Sequence, residues 1–240
     1  MEKKYKLTKE TINVFNKTLY RIEALRDFND VKKGYKGGFV EKEDNLSQSD
    51  NCWVYDNAKV FGNAKVHDNA EVYGIAWVCD NAKVCGHTIV RGNTRVRGNA
   101  RVFGYSEIFG NAEIFDNAWV YGNAEIFDDA KIYNDAKIYG LAWVYRNAEV
   151  CGSAEVCGDA RICADAKVEN NGDYIVFKNW WSSGRYFTWT KSNDMWKVGC
   201  FYGTGKELID KAYRDSEISG REYERIVKYV EIINNDLEIM

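Results

Sequence analysis

A six-residue repeat runs through the middle of this 240-residue chain and constrains its fold more than any other feature. Every sixth residue from Val54 to Val168 is Val or Ile. Four residues after each position from Val54 to Ile162 stands a small residue, which is Ala from Ala58 to Ala166 except at Thr88, Thr94 and Ser106. An unbroken period of six does not fit the 3.6-residue period of an α-helix and favours short parallel strands joined by tight corners.

Alternation within each unit predicts which side chains face inward. In Ala58-Lys59-Val60-Phe61 the small and branched residues point one way, while Lys59 and Phe61 point the other. The next two residues are mostly Gly or Asp followed by Asn, which tolerate the left-handed backbone angles of a tight corner. Such coils would stack about 4.8 Å apart and hydrogen-bond along the axis.

These hexads resemble the hexapeptide-repeat family, and the resemblance implies a left-handed parallel β-helix of triangular cross-section with three hexads per coil. We therefore expect a mainly β protein with about six to seven coils. The segment LYRIEALRDFNDVKKGYKGGFVEKEDNLSQ resembles the lead-in of hexapeptide proteins from phages and prophages. The expected domains are an N-terminal β cap with an irregular first coil (1–50), the repeat (51–170) and a small C-terminal α+β domain (171–240).

The C-terminal domain is predicted from a change of pattern after Val168. DYIVFKNWW, RYFTWTKS and MWKVGCFYG are typical of three strands. Two capping boxes, at Thr204–Glu207 and at Ser219–Glu222, then predict the starts of two amphipathic helices. Stacked coils leave an open apolar end, so this domain is expected at least to close the prism.

Composition excludes several function classes. A net charge of −3 and a pI near 5.6 argue against general binding to nucleic acid. No apolar run reaches membrane-spanning length and no signal peptide is evident, so we expect a cytoplasmic protein, in the host cytoplasm if phage-encoded. The seven cysteines form no CxxC pair, which leaves zinc ligation and thioredoxin chemistry without a motif.

The family resemblance implies acyl transfer from an acyl thioester, with a histidine as general base, as one possible activity. Only His67 and His87 are present, and His87 stands at a corner where Asn is usual. The unbroken repeat leaves no inserted loop to shape a substrate pocket, so His87 is expected to replace a turn Asn. Two histidines cannot supply the three zinc ligands of the family's carbonic anhydrases. We expect no catalytic residue, no metal and no cofactor, with His87 as the base in the alternative.

The C-terminal domain carries the densest cluster of aromatic and basic residues. Trp and Tyr rings suit base stacking, Arg suits phosphate, and a helix N-terminus favours an anion. The stretch GTGK lacks the pattern of a phosphate-binding Walker loop. The predicted ligand-binding residues are Trp180, Trp181, Arg185, Tyr186, Trp189, Thr204, Gly205 and Lys206.

Outward aromatic residues occur on every face of the repeat and favour either cross-coil ring stacking or burial against another subunit. The family resemblance favours a homotrimer. Three functions remain open: a non-catalytic binding protein for a small anionic, nucleotide-like ligand, an acyltransferase, and a structural or adaptor module. We favour the first, in which a phage protein would sequester a host defence signal such as a cyclic nucleotide.

Overall fold

The computed structural model describes residues 2–239, with side chains described for residues 2–235. A parallel β-solenoid of about seven coils forms its centre, which confirms the predicted fold class. Three strands precede it: β1 (Tyr5–Val14), β2 (Lys17–Ala24) and β3 (Lys36–Val40). The solenoid strands β4 to β23 are, in chain order, Trp53–Val54, Lys59–Val60, Lys65–Val66, Glu71–Val72, Trp77–Val78, Lys83–Val84, Ile89–Val90, Arg95–Val96, Arg101–Val102, Glu107–Ile108, Glu113–Ile114, Trp119–Val120, Glu125–Ile126, Lys131–Ile132, Lys137–Ile138, Trp143–Val144, Glu149–Val150, Glu155–Val156, Arg161–Ile162 and Lys167–Val168.

Strands three apart in the sequence pair in parallel and form three faces. Face 1 contains β4, β7, β10, β13, β16, β19 and β22. Face 2 contains β5, β8, β11, β14, β17, β20 and β23, and it continues through β3 into β2 and β1. Face 3 contains β6, β9, β12, β15, β18 and β21. The register places Val60 beside Val78, so one coil takes 18 residues, or three hexads.

The inward Val, Ile and Ala side chains form one continuous core. The Val and Ile residues at every sixth position from Val54 to Val168 are at most 1% exposed. Thr88, Thr94 and Ser106 occupy the Ala position and are fully buried. The hydroxyl of Thr88 donates to the Cys85 carbonyl at 2.8 Å, so this polar group is satisfied within its own corner.

The corner geometry explains why Asp and Gly are both common at the first corner position of the repeat. Asp80 has a φ of +60°, and its carboxylate accepts a hydrogen bond of 3.0 Å from the backbone N–H of Gly98, one coil further on. An aspartate therefore tolerates the left-handed angle and also ties two coils together. The same contact joins Asp56 to Gly74, Asp68 to Gly86, Asp116 to Asn134, and Asp128 to Arg146.

The N-terminal strands close one end of the solenoid. β1 and β2 form an antiparallel hairpin, and β3 joins face 2 by pairing in parallel with β5. A 3₁₀ turn at Glu43–Asn45 leads into the first coil. Trp53 is buried there against Tyr5 and Phe28, with ring centroids 6.0 and 5.3 Å away.

The C-terminal domain follows a 3₁₀ turn at Asn171–Asp173. It contains an antiparallel sheet of β24 (Tyr174–Lys178), β25 (Tyr186–Thr190), β26 (Met195–Val198) and β27 (Phe201–Gly203), then α1 (Gly205–Asp215) and α2 (Glu217–Ile239). The prediction of three strands was wrong, because Gly199 adopts a φ of +54° and divides the third segment into two strands.

The second helix begins earlier than the capping box at Ser219–Glu222 predicts. α2 starts at Glu217, and the hydroxyl of Ser216 accepts the backbone N–H of Ser219 at 3.1 Å. Gly220 is therefore inside the helix, where it is buried, and a Cβ there would lie 2.2 Å from the Tyr213 ring. This glycine allows α1 and α2 to approach closely.

Candidate ligand-binding site

The C-terminal sheet covers the open end of the solenoid. Within the coils the outward strand residues donate their backbone N–H to carbonyls of the next coil, as Lys59 does to Ala76 at 2.8 Å, and the last coil has no successor. Side chains of the C-terminal segment replace it: Thr188 accepts from the N–H of Arg161 at 2.9 Å, and Ser192 accepts from that of Lys167 at 2.7 Å. The two layers therefore form a fixed junction, with the open backbone edge satisfied by the cap.

Alternation along β25 and β26 gives this sheet two different sides. Phe187 and Trp196 face the helices and belong to a second apolar core. Thr188 faces the solenoid, as its hydrogen bond to Arg161 shows, and Lys197 is its cross-strand partner. A lysine thus lies on the side that faces the last coil.

A cavity of about 610 Å³ lies where this sheet meets the upper coils of face 1. We call it the junction cavity. Residues from both layers line it: Phe127, Trp143, Tyr145, Asp159, Arg161, Arg185, Tyr186, Lys197, Gly199 and Cys200.

The junction cavity carries an excess of positive charge. Arg161, Arg185 and Lys197 line it, and Asp159 is its one acidic lining residue. Within residues 2–235, no carboxylate oxygen lies within 4.0 Å of the charged nitrogens of these three side chains or of Arg146. Uncompensated cations at a concave surface favour an anionic ligand.

This local excess of positive charge affects the pKa of Lys197. Burial lowers its pKa, and the nearby Arg146 and Arg161 lower it further, whereas the Cys163 thiol acts in the opposite direction. The side chain is partly buried. A charged lysine in this position is costly unless a negative charge accompanies it.

Aromatic rings form the solenoid wall of the cavity. Phe127 and Tyr145 lie on successive coils and stack with centroids 4.8 Å apart. Trp143 packs edge-on against Phe127 at 6.1 Å, and the guanidinium of Arg161 lies 4.6 Å from the Trp143 ring. The cavity therefore combines flat apolar surfaces with cations, which suits a ligand that has both a ring and a negative charge.

Two of the predicted ligand-binding residues, Arg185 and Tyr186, line the junction cavity. Arg185 also lines a neighbouring cavity of about 420 Å³ between the sheet and the helices. The tryptophans lie elsewhere. Trp180 is 76% exposed, Trp181 packs edge-on against Tyr223 at 5.1 Å, and Trp189 is buried with its indole N–H donating to Asp194 at 2.8 Å.

The helix N-terminus predicted as an anion site is capped within the chain, where the Thr204 hydroxyl accepts the backbone N–H of Glu207 at 3.3 Å. The Glu207 carboxylate accepts hydrogen bonds from the backbone N–H and the hydroxyl of Thr204, at 2.8 and 2.9 Å. These two bonds lower the pKa of Glu207. Gly205 packs against Val227, and Lys206 is exposed. The structure does not bring Thr204, Gly205 or Lys206 to the junction cavity.

Sequence reasoning missed the solenoid half of the site. The predicted ligand-binding residues did not include Arg161, Trp143, Tyr145 or Lys197. One signal was present: Lys197 alternates with the apolar Trp196 and Val198 and is thereby assigned to the opposite side of its strand. The proximity of Lys197 to Arg161 could not be predicted from this alternation, because it depends on how the C-terminal sheet docks on the last coil.

His87 lies far along the solenoid, at the corner position of an Asn ladder. Its ring stacks on Tyr105 with centroids 4.8 Å apart and 1° between planes, and Nε2 lies 3.4 Å from the side-chain amide of Asn69. With Glu71 it lines a small cavity of about 260 Å³. This placement agrees with the replacement of a turn Asn; a role as a general base stays a prediction.

Among the helices that the structure describes, none is both long and apolar enough to cross a membrane. A comparison with models of known protein families finds no match, and a comparison with curated protein sequences finds none either.

Proposed function

We propose that this chain is a non-catalytic binding protein and that its junction cavity holds a small anionic, nucleotide-derived ligand. One observation supports this most: partly buried Lys197 lies near Arg146 and Arg161 with no carboxylate within 4.0 Å among the described residues. Like charges held together in this way destabilise the ligand-free protein, and an anion that neutralises them is bound favourably.

The dimensions and walls of the cavity support a nucleotide over a simple anion. A volume of about 610 Å³ falls within the range of about 300–1,000 Å³ that is typical of small-molecule sites. Phe127, Trp143, Tyr145 and Tyr186 offer ring surfaces close to the cations. In this arrangement a base would contact the rings while its phosphates contact Arg161 and Lys197.

A more specific version of the proposal rests on the family resemblance of the sequence. If the chain is a phage or prophage hexapeptide-repeat protein, the ligand is a host defence signal, such as a cyclic nucleotide or a cyclic ADP-ribose derivative, that is sequestered in the host cytoplasm. We also propose self-association, with a trimer favoured. Light scattering of the purified protein would then give three times the chain mass of 27.6 kDa.

A thermal-shift screen tests the binding proposal. The panel contains ATP, cyclic AMP, ADP-ribose, coenzyme A and tripolyphosphate. A ligand at 100 times its Kd adds about 2.7 kcal/mol to the free energy of unfolding, which raises Tm by about 5–10 °C for a chain of this size. A shift with coenzyme A alone would instead favour the acyltransferase.

Charge-neutral variants then locate the site. Lys197→Gln and Arg161→Gln should each remove most of the shift, because each loses a charge-assisted contact. Arg101→Gln is the matched control: Arg101 also lies over a tryptophan, 5.0 Å from the Trp119 ring, but on face 3. The proposal fails if no compound of the panel shifts Tm, or if Arg101→Gln reduces the shift as much as Arg161→Gln.

A further inference from the structure

Three metal-ligating side chains meet on face 3, away from the junction cavity. A ring nitrogen of His67, a carboxylate oxygen of Asp68 and the Sγ of Cys85 all lie within 4.8 Å of one another. The Nδ1 of His67 is 3.1 Å from Oδ1 of Asp68. His67 and Cys85 are partly buried and Asp68 is exposed, so the group is accessible from solvent.

The solenoid fixes the relative positions of these residues. His67 and Cys85 take equivalent outward places on successive coils, because each directly follows a strand of the paired β6 and β9. Asp68 stands at the corner with a φ of +59°. The ligands therefore come from two adjacent coils and one corner, all of which belong to the rigid hydrogen-bonded stack.

Asp68 is held by contacts that leave one oxygen directed at His67. Its Oδ2 accepts the backbone N–H of Gly86 at 3.0 Å, and its own N–H donates to the Asp50 carboxylate at 3.2 Å. Supporting hydrogen bonds of this kind orient a ligand before the metal arrives and strengthen metal binding. Two cations, Lys83 and Arg101, lie near Cys85 and act against a bound cation.

We propose that His67, Asp68 and Cys85 bind one Zn²⁺ ion per chain, with the fourth position open to water. The set of imidazole, thiolate and carboxylate matches zinc, whereas Mg²⁺ and Ca²⁺ prefer oxygen ligands. Bonds of about 2.0–2.3 Å require the ligand atoms to approach to about 3.3–3.8 Å, which rotation of the His67 and Cys85 side chains supplies.

This site differs from the expectation of no metal. Sequence motifs such as CxxC place their ligands on one short segment, and the zinc site of the family's carbonic anhydrases needs three histidines, of which this chain has two. Here His67 and Cys85 are 18 residues apart in the chain and become neighbours because one coil has that length. Pairing His67 with Cys85 by coil length is the signal that could have found it.

Cobalt titration tests the proposal. Co²⁺ replaces Zn²⁺ in such sites and gives visible absorption together with a thiolate-to-metal charge-transfer band. The titration uses the Cys200→Ser background, since Cys200 is exposed and could bind metal independently. We expect one Co²⁺ per chain with a thiolate band, and displacement of the Co²⁺ by Zn²⁺.

Three variants and one control complete the test. Cys85→Ser should abolish the thiolate band, and His67→Gln and Asp68→Asn should each weaken binding by more than about tenfold. Asn still accepts the Gly86 N–H and tolerates a positive φ, so Asp68→Asn keeps the corner. Cys157→Ser, in the same outward column on the last coil, should change nothing. No band in the parent protein, or a band that survives Cys85→Ser, would overturn the proposal.

Discussion

The guanidinium of Arg161 lies 4.6 Å from the ring centroid of Trp143, one coil below it on face 1. The ring holds the arginine at the wall of the junction cavity. Glu125 precedes Trp143 by one coil on the same face, so the indole lies between this arginine and the carboxylate of Glu125. Arg161 thus remains free to meet a ligand.

Replacing Trp143 with Leu should weaken nucleotide binding more than tripolyphosphate binding. The base loses a ring surface, and stacking of this kind contributes about 1–3 kcal/mol per base. Calorimetric titration of both ligands gives the ratio. Trp119→Leu, which removes the ring that contacts Arg101 from the following coil of face 3, is the control and should leave both affinities unchanged. Equal losses for both ligands in Trp143→Leu would contradict a stacking role.

Alkaline pH should weaken anion binding through Lys197. Burial, followed by Arg146 and Arg161, lowers its pKa, so the charged form is disfavoured in the folded protein. Folding stability therefore rises as pH rises through the interval between this lowered pKa and the ordinary value of 10.5. Anion binding needs the protonated lysine, so affinity falls as pH rises through the lowered pKa.

Lys197→Arg separates this effect from changes in the ligand, because arginine keeps its charge throughout the alkaline range. Wild-type affinity for ATP should begin to fall at a lower pH than that of Lys197→Arg. Superimposable pH profiles for the two proteins would show that Lys197 does not carry the effect.

A substitution that creates a cavity in the solenoid core should strongly lower the free energy of unfolding. Ile126 is fully buried, and Ile126→Ala should lower the free energy of unfolding by about 2–5 kcal/mol. Leu141 stands at a corner and is 54% exposed, so Leu141→Ala should change it by no more than about 0.5 kcal/mol. Denaturant unfolding of both variants measures the difference. Similar values for the two would contradict the inward orientation of Ile126.

Substitutions at two glycines distinguish the cost of backbone strain from the cost of forcing neighbouring coils apart. Gly104 and Gly158 have φ of +83° and +64°, but a Cβ on Gly104 would lie 2.8 Å from Gly122 of the next coil, whereas nothing lies within 4 Å of one on Gly158. Both Ala variants carry the strain of a positive φ, and only Gly104→Ala also forces the coils apart. Gly104→Ala should therefore melt at a lower temperature than Gly158→Ala.

His87→Asn should preserve both stability and nucleotide binding, since it restores the residue usual at this corner and extends the ladder from Asn69. Thermal unfolding and calorimetric titration measure the two properties. If the wild type transfers an acyl group from coenzyme A and His87→Asn does not, the acyltransferase becomes the better account of this protein.

The solenoid could be predicted from the sequence because each hexad determines its own strand and corner. Val60 marks an inward strand position and Gly62 marks a corner, and equivalent residues recur in every coil. The pattern can therefore be recognised without knowledge of distant contacts. The surroundings of Arg185 and Tyr186 could not be predicted from such a local pattern. Their surroundings depend on how the cap docks on the last coil.

The site was therefore predicted only in part. Arg185 and Tyr186 belong to the junction cavity, but Trp189 was needed for the apolar core between sheet and helices, and Thr204 for a capping box that uses Glu207. A Trp-rich core and a ligand platform have the same composition. Only the tertiary arrangement distinguishes them.

Native mass spectrometry of the protein purified from cells at low salt tests the central claim most directly. The wild type should carry a bound small anion, which fragmentation identifies by mass. Lys197→Glu should be free of it, because a carboxylate beside Arg161 replaces the ligand charge, whereas Arg101→Glu should keep it. An adduct of the same mass and occupancy in Lys197→Glu, or none in the wild type at any salt concentration, would contradict the assignment of the junction cavity.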